Sequence, residues 1–184
     1  MKEVTVRAHI PHACADEVFS VIRDFGNYVT LCDSVRSIVV EPVDDQVSLT
    51  SWEVNFHSGI LKWQERDTFD AAQRAIHFEQ IAGDVDHFSG SWHVMADGND
   101  ALVHFQSRFD LGLPMLADML DPVAQKAIRD NIHSIITGLF PTSHVQVLRH
   151  DPFLAESRPG CARTLCARIR YPPGGSRLRP ARVA

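Results

Sequence analysis

The chain has 184 residues, 45% hydrophobic and 22% charged, with a formal net charge of -5. That balance suits one soluble domain with a sizeable core. No apolar run reaches the roughly 18 residues of a membrane helix, and the alternating start MKEVTVRAHI is no signal-peptide block. A cytoplasmic protein without a membrane partner is expected.

KEVTVRAHI at 2–10 alternates apolar and polar residues and is predicted as a first strand. HACADEVFSVIRDF follows with Val18, Phe19, Ile22 and Phe25 at helical spacing, ended by Asp24, Gly26 and Asn27. YVTLCDSV at 28–35 reads as a second short helix leading into the strand RSIVVEP. A strand from Val47 to about His57 comes next, then a turn at HSG and the strand LKWQERDTFD at 61–70. After the turn DAAQR come AIHFEQIA, FSGSWHVMA and ALVHFQSRFDL, the last two joined by the hairpin turn DGND. LPMLADML is predicted as a short helix, with Asp121 as N-cap and Pro122 in the first turn of a long helix ending near Leu139. About seven strands with helices collected on one side make an α+β fold, its antiparallel sheet covered on one face only. Between that face and the long helix lies the expected ligand pocket.

Residues 155–184, rich in Pro, Gly and Arg, read as a disordered basic tail after a domain spanning 1–154. The tail holds seven arginines and one acid, which leaves eleven basic and twenty-two acidic residues before it, a net of -11. So acidic a body is a poor partner for nucleic acid. Cys161 and Cys166 form a C-x4-C pair with no second pair nearby, a weak zinc signal. His77, His93 and His104 fall on the outer face on separate strands. His9 and His12 straddle Pro11, and Asp84, Asp86 and His87 share a loop. None has metal-site spacing, so neither metal nor cofactor is expected. No G-x-S-x-G, P-loop or dinucleotide fingerprint occurs.

Choosing the more apolar parity of each strand puts Trp52, Val54, Phe56, Ile76, Phe78, Gln80, Trp92, Val94, Val103, Phe105, Ser107 and Phe109 on the inner face. On the long helix Ala124, Ala127, Ile128, Ile132, Ile135 and Leu139 form a stripe with Asn131 among them. Asn131 can bond a ligand carbonyl or satisfy a backbone group. Trp52, Phe56, Trp63, Phe78, Trp92, Phe105 and Phe109 are the candidate binding residues for an aromatic or polyenic ligand, and Tyr28 stands at the expected pocket mouth. Each ring taken singly is better explained as core.

The strand at 61–70 carries the chemical question. If Trp63 and Phe69 face inward, so do Glu65 and Asp67, while Lys62, Gln64, Arg66 and Thr68 face water. A carboxyl desolvated among apolar groups has a raised pKa and is suited to proton transfer near neutral pH. The alternative is a bulge that flips the register and sends both acids to solvent.

These stretches together resemble the START-like, helix-grip superfamily, and within it the polyketide cyclase/dehydrase (aromatase/cyclase) group. The resemblance lies in a first helix ending D-x-x-x-Y, a W-x-x-R strand before a D-x-x-x-R turn, a G-x-W strand and the terminal helix DPVAQKAIRDNIHSIITGLF. It covers about residues 1–140. The resemblance implies a curved sheet gripping one helix around a hydrophobic cavity. There a reactive poly-β-ketone, free or tethered to a carrier protein, is folded and closed by aldol chemistry and dehydration. It also implies a catalytic arginine or tyrosine, to which Arg66 and Tyr28 correspond, although parity turns Arg66 outward and Asp67 inward. The expected catalytic set is therefore Asp67, Glu65, Arg66 and Tyr28. Rival expectations are a non-catalytic carrier like the coenzyme-Q-binding relatives, and a structural partner of a larger synthase. A homodimer is a further candidate assembly.

Overall fold

The computed structural model describes residues 1–56 and 59–148. Strand β1 (Lys2–Ile10) leads to helix α1 (Ala15–Ile22), a 3-10 turn (Phe25–Asn27) and the one-turn helix α2 (Tyr28–Leu31). A meander follows: β2 (Val35–Pro42), β3 (Val47–Phe56), β4 (Gly59–Asp70), β5 (Ala75–Gly83), β6 (His87–Asp97) and β7 (Asp100–Asp110). Helix α3 (Ala117–Leu139) and strand β8 (His144–Leu148) complete the described chain. The strands form one antiparallel sheet in the order β2-β3-β4-β5-β6-β7-β1-β8.

Period-two patterning decides which face is buried. Val4, Val6, Ala8 and Ile10 of β1 are buried, and Val6 and Ala8 sit opposite Phe105 and Val103 of β7. Helix α1 contributes Ala15, Val18, Phe19 and Ile22, while Asp16 and Glu17 complement the partial positive charge of its first turn. Helix α3 buries Ala124, Ile132, Ile135 and Ile136 and lies against β1, β8 and α2. A curved antiparallel sheet holding one long helix is the helix-grip arrangement, as expected.

Three elements differ from expectation. The sheet has eight strands, because β8 pairs with β1 in the register Thr5↔Leu148 to His9↔His144. Five residues give too short a window for periodicity to register, and only the open edge of β1 recruits them. The expected helix at 113–120 and the long helix are one element, preceded by a 3-10 turn at Pro114–Leu116. Asp121 is therefore no N-cap and instead stands 3.7 Å from the Lys2 ammonium. Pro122 lies inside the helix, near enough to its start that its missing N–H removes one of the first intrahelical bonds. The second short helix is only Tyr28–Leu31. Residues 57–58 of the β3–β4 turn and the basic stretch 155–184, with Cys161 and Cys166, lie outside the described residues.

At Gly90 the sheet demands the absence of a side chain. A Cβ there would stand 2.2 Å from the Gln106 carbonyl oxygen and 2.5 Å from the Phe78 ring. Both the β7 backbone and the inner-face rings approach β6 at this point. Gly90→Ala is expected to destabilise the protein by roughly 2–4 kcal/mol. Urea unfolding checks this, and an unchanged midpoint would show that the strand can shift aside.

Candidate functional site

The β3–β4 pairing builds the site. Its register sets Ser48 opposite Asp67, Thr50 opposite Glu65 and Trp52 opposite Trp63. All six side chains share the inner face, since partners directly across an antiparallel pair point the same way. A bulge does occur beside these acids, in the pairing with β5, where Gln64 pairs with Ala82 and Glu65 with Gln80. The extra residue is Ile81 of β5, so alternation along β4 is undisturbed. Glu65 is 4% exposed and Asp67 0%.

Each carboxyl has donors on the same face. The Trp63 indole N–H donates to Glu65 Oε2 at 2.9 Å. The Thr50 hydroxyl donates to Asp67 Oδ2 at 2.7 Å and lies 3.4 Å from Glu65 Oε1. The Trp52 indole N–H in turn donates to Thr50 Oγ1 at 2.9 Å. Among the described residues, Asp67 Oδ1 is buried with no hydrogen-bond partner. The two indoles stack in parallel with centroids 5.7 Å apart, and Phe88 meets Trp63 edge-on at 5.7 Å.

Burial pushes the Glu65 carboxyl up to about 8, with the charge of Asp67 adding to the rise and the Trp63 and Thr50 hydrogen bonds opposing it. Burial likewise raises Asp67, to about 6, against the hydrogen bond from Thr50. Two carboxylates this close cannot both ionise cheaply on an apolar face. Near neutral pH the pair holds one proton, a macroscopic property of both groups together.

The other expected residues divide. Trp52, Phe56 and Trp63 are half-buried, whereas Phe78, Trp92, Phe105 and Phe109 are buried in the core. Trp92 and Phe105 pack at 4.7 Å between centroids, and Phe78 stacks on Phe105 at 6.0 Å. The expected cavity is corrected in part. Phe25 contacts Trp52 and Phe69, while Tyr28 contacts Trp52 and Trp92, so the protein's own rings occupy much of the inner face. The two described cavities lie elsewhere. One of about 530 Å³ opens on the outer face among Arg66, His77, Glu79, Ser89, Ser91 and Arg108. One of about 260 Å³ lies among Val21, Asn27, Thr30, Leu31, Gly138 and Leu139.

Arg66 is exposed on that outer face and does not join the carboxyls, as alternation requires. Tyr28 is not at a mouth. It is 2% exposed, and its hydroxyl donates to the Ile22 carbonyl at 2.5 Å, closing the end of α1. Burial, with the charges of Asp67 and Asp24, raises its phenol well above the usual value. Asn131 accepts from the Ser34 hydroxyl at 2.6 Å, tying α3 to the chain after α2. His104 has outward parity yet is buried; burial and the neighbouring Arg7 and His93 lower its pKa. His9 engages Asp100 at 2.9 Å. Among the described residues no three His, Cys, Asp or Glu side chains group as a metal site, and no helix is long and apolar enough to cross a membrane.

Thr50, Phe25 and Phe88 were not among the expected site residues. Extending the parity of Trp52 back by two residues reaches Thr50, so that signal was present. Phe25 and Phe88 take their places through packing between elements.

A curved antiparallel sheet that grips one long helix defines a protein of the helix-grip fold. Residues 12–136, more than half of the chain, match the family described as polyketide cyclase / dehydrase and lipid transport, and the chain belongs to that family. No curated protein matches it at a significant level. Among solved structures it is similar to TTHA0849 from Thermus thermophilus, with 22% identity over 76% of this chain and 95% of that one, TM-score 0.69. It is also similar to the Zhui aromatase/cyclase from Streptomyces sp. R1128, with 18% identity over 75% and 93%, TM-score 0.65. A START superfamily protein from Mycobacterium smegmatis shares 13% identity over 76% and 97%, TM-score 0.64. At these identities the structural likenesses speak to fold alone.

Both carboxyls titrate higher when folded than when unfolded, so the folded state binds extra protons between about pH 4 and about pH 8 and loses stability as pH rises through that window. Glu65→Gln removes the larger penalty. It is expected to stabilise the protein by a few kcal/mol at pH 8.5, since one pKa unit is about 1.4 kcal/mol. At pH 4.5, where the folded protein keeps Glu65 neutral, the gain is expected to be small. Thermal melts at both pH values check this, and equal shifts at the two would contradict it.

Proposed function

We propose that the protein binds a flat, apolar, carbonyl-rich molecule of the poly-β-ketone kind against the half-buried Trp52–Trp63–Phe88 surface and promotes its cyclisation, dehydration or both by acid–base catalysis. One observation carries this reading: two buried carboxyls, Glu65 and Asp67, bridged by Thr50 on an aromatic face, where burial raises the pKa of both. A methylene between two carbonyls is acidic enough for a carboxylate in a dry setting to deprotonate.

In the resting pair Asp67 is the base and Glu65 the acid. Ligand binding displaces the Trp63 indole from Glu65, because that indole covers the carboxyl. Asp67 Oδ1, which has no partner among the described residues, takes the α-proton. The resulting enolate carbon attacks a second carbonyl, forming the ring C–C bond, and Glu65 protonates the new alkoxide. Asp67 has then gained a proton and Glu65 has lost one, so the pair still carries one. Dehydration follows when the ionised member of the pair removes the remaining α-proton and the protonated member gives its proton to the hydroxyl, which leaves as water. The indoles and Phe88 hold the chain in its folded reactive shape. This sequence needs neither metal nor cofactor.

The carrier reading retains one specific support. Arg66, the family-matched arginine, faces outward, and the Tyr28 hydroxyl is committed to Ile22, so the usual enol-handling groups are engaged elsewhere. Substitution separates the two readings. Native mass spectrometry of the purified protein would first identify a bound small molecule or a supplied ketone. Asp67→Asn and Glu65→Gln are then each expected to lower turnover by at least roughly 100-fold, the scale of general acid–base catalysis, with affinity changed by no more than a few-fold. Wild type that binds the ketone but never converts it would establish the carrier instead.

A further inference from the structure

We propose that Thr50 is a positioning residue that bridges Glu65 and Asp67, passing the single proton of the pair between them so that acid and base are restored after each proton transfer. The inference rests on the reading of these two carboxyls as the acid–base pair, and extends it to a group that touches neither substrate nor solvent.

The hydrogen-bonding capacity of one hydroxyl carries the argument. Threonine offers one O–H donor and two acceptor lone pairs. The Trp52 indole can only donate, and it occupies one lone pair of Thr50 Oγ1 at 2.9 Å. Asp67 Oδ2, at 2.7 Å, receives the hydroxyl proton. One lone pair remains, and Glu65 Oε1 is 3.4 Å away. With Glu65 protonated and Asp67 ionised, every valence of this hydroxyl is used: Glu65 O–H donates to Thr50 and Thr50 donates to Asp67. Moving both protons along this line gives ionised Glu65 and protonated Asp67 with no change in total charge. In the ligand-free protein that second state places the Glu65 carboxylate against the Trp63 indole donor on Oε2. The 3.4 Å leg is the long one and must shorten for transfer.

The bridge meets a need created by the chemistry. Where dehydration with the roles reversed does not follow, ring closure leaves the proton of Glu65 on Asp67 by way of the substrate, with acid and base exchanged. Glu65 and Asp67 are 4% and 0% exposed, so return of the proton through bulk water requires the site to open. Thr50, itself 1% exposed, returns it inside the closed site. The other titratable group at the pair is Tyr28 from α2. Its buried phenol stays neutral through the working range and its proton is given to the Ile22 carbonyl, so it does not compete.

Thr50→Val removes the hydroxyl at nearly constant shape, Thr50→Ser retains it, and Thr50→Ala replaces the valine variant should that one not fold. The ligand-free proteins are titrated first, following the carboxyl stretches by infrared spectroscopy or the side-chain carboxyl carbons by NMR. Loss of the hydroxyl is expected to raise the lower of the two pKa values by at least about one unit, because Asp67 loses its hydrogen-bond donor. Thr50→Ser is expected to titrate like wild type. With the ketone substrate, loss of the hydroxyl is expected to lower kcat about 10- to 100-fold with KM within a few-fold, and serine to restore it. A valine or alanine variant that titrates like wild type overturns the bridge, whatever its activity. If wild type and variants titrate as expected but wild type converts no ketone, the bridge stands and the catalytic reading falls.

Discussion

Two carboxyl groups two residues apart on one strand, both turned toward aromatic rings, set the terms for the rest of this molecule. Each would cost several kcal/mol to bury as an isolated ion, and their charges repel. The chain answers with hydrogen bonds and a proton. Trp63 donates to Glu65, Trp52 donates through Thr50 to Asp67, and one proton stays in the pair. The stacked indoles thus cover the carboxyls with apolar area and also point their N–H groups at them. Such an assembly lowers stability at neutral and alkaline pH, the usual sign of a group retained for its chemistry.

The same constraint explains how the surrounding rings are used. Phe25 and Tyr28 come off the end of α1 and close over Trp52, Phe69 and Trp92, drying the site from the helix side. The Tyr28 hydroxyl ends on the Ile22 carbonyl, an otherwise open group at the helix terminus, and so serves as a strut. Gly90 lets β7 and Phe78 approach closely enough for the ring wall to be continuous. The half-buried part of this aromatic face centres on Trp52, Trp63 and Phe88, the surface proposed for a ligand.

Family membership sets a frame that this chain fills in its own way. Arg66 is on the opposite side of the sheet from the carboxyls, in a polar groove with His77, Glu79 and Arg108. A one-residue offset along a strand suffices for this exchange, because neighbours on a strand face opposite ways.

Alternation along 61–70 was enough to turn Glu65 and Asp67 inward and Arg66 outward. Helical spacing was enough to predict α1 and, on α3, the burial of Ala124, Ile132 and Ile135, though not that of Ile136. These are local regularities with periods of 2 and about 3.6, written in the order of residues. Sequence could not reveal that the extra residue beside Glu65 belongs to β5 and leaves β4 intact, since a bulge is a property of a pair of strands. Nor could it show that Tyr28 ends on Ile22, that Asn131 is tied to Ser34, or that β8 completes the sheet at β1. Thr50 sits fifteen residues from Glu65 and seventeen from Asp67, and only strand pairing brings its hydroxyl between them. Side-chain direction was settled by local backbone geometry, whereas the hydrogen-bond partners of those side chains were settled by contacts between segments far apart in the chain.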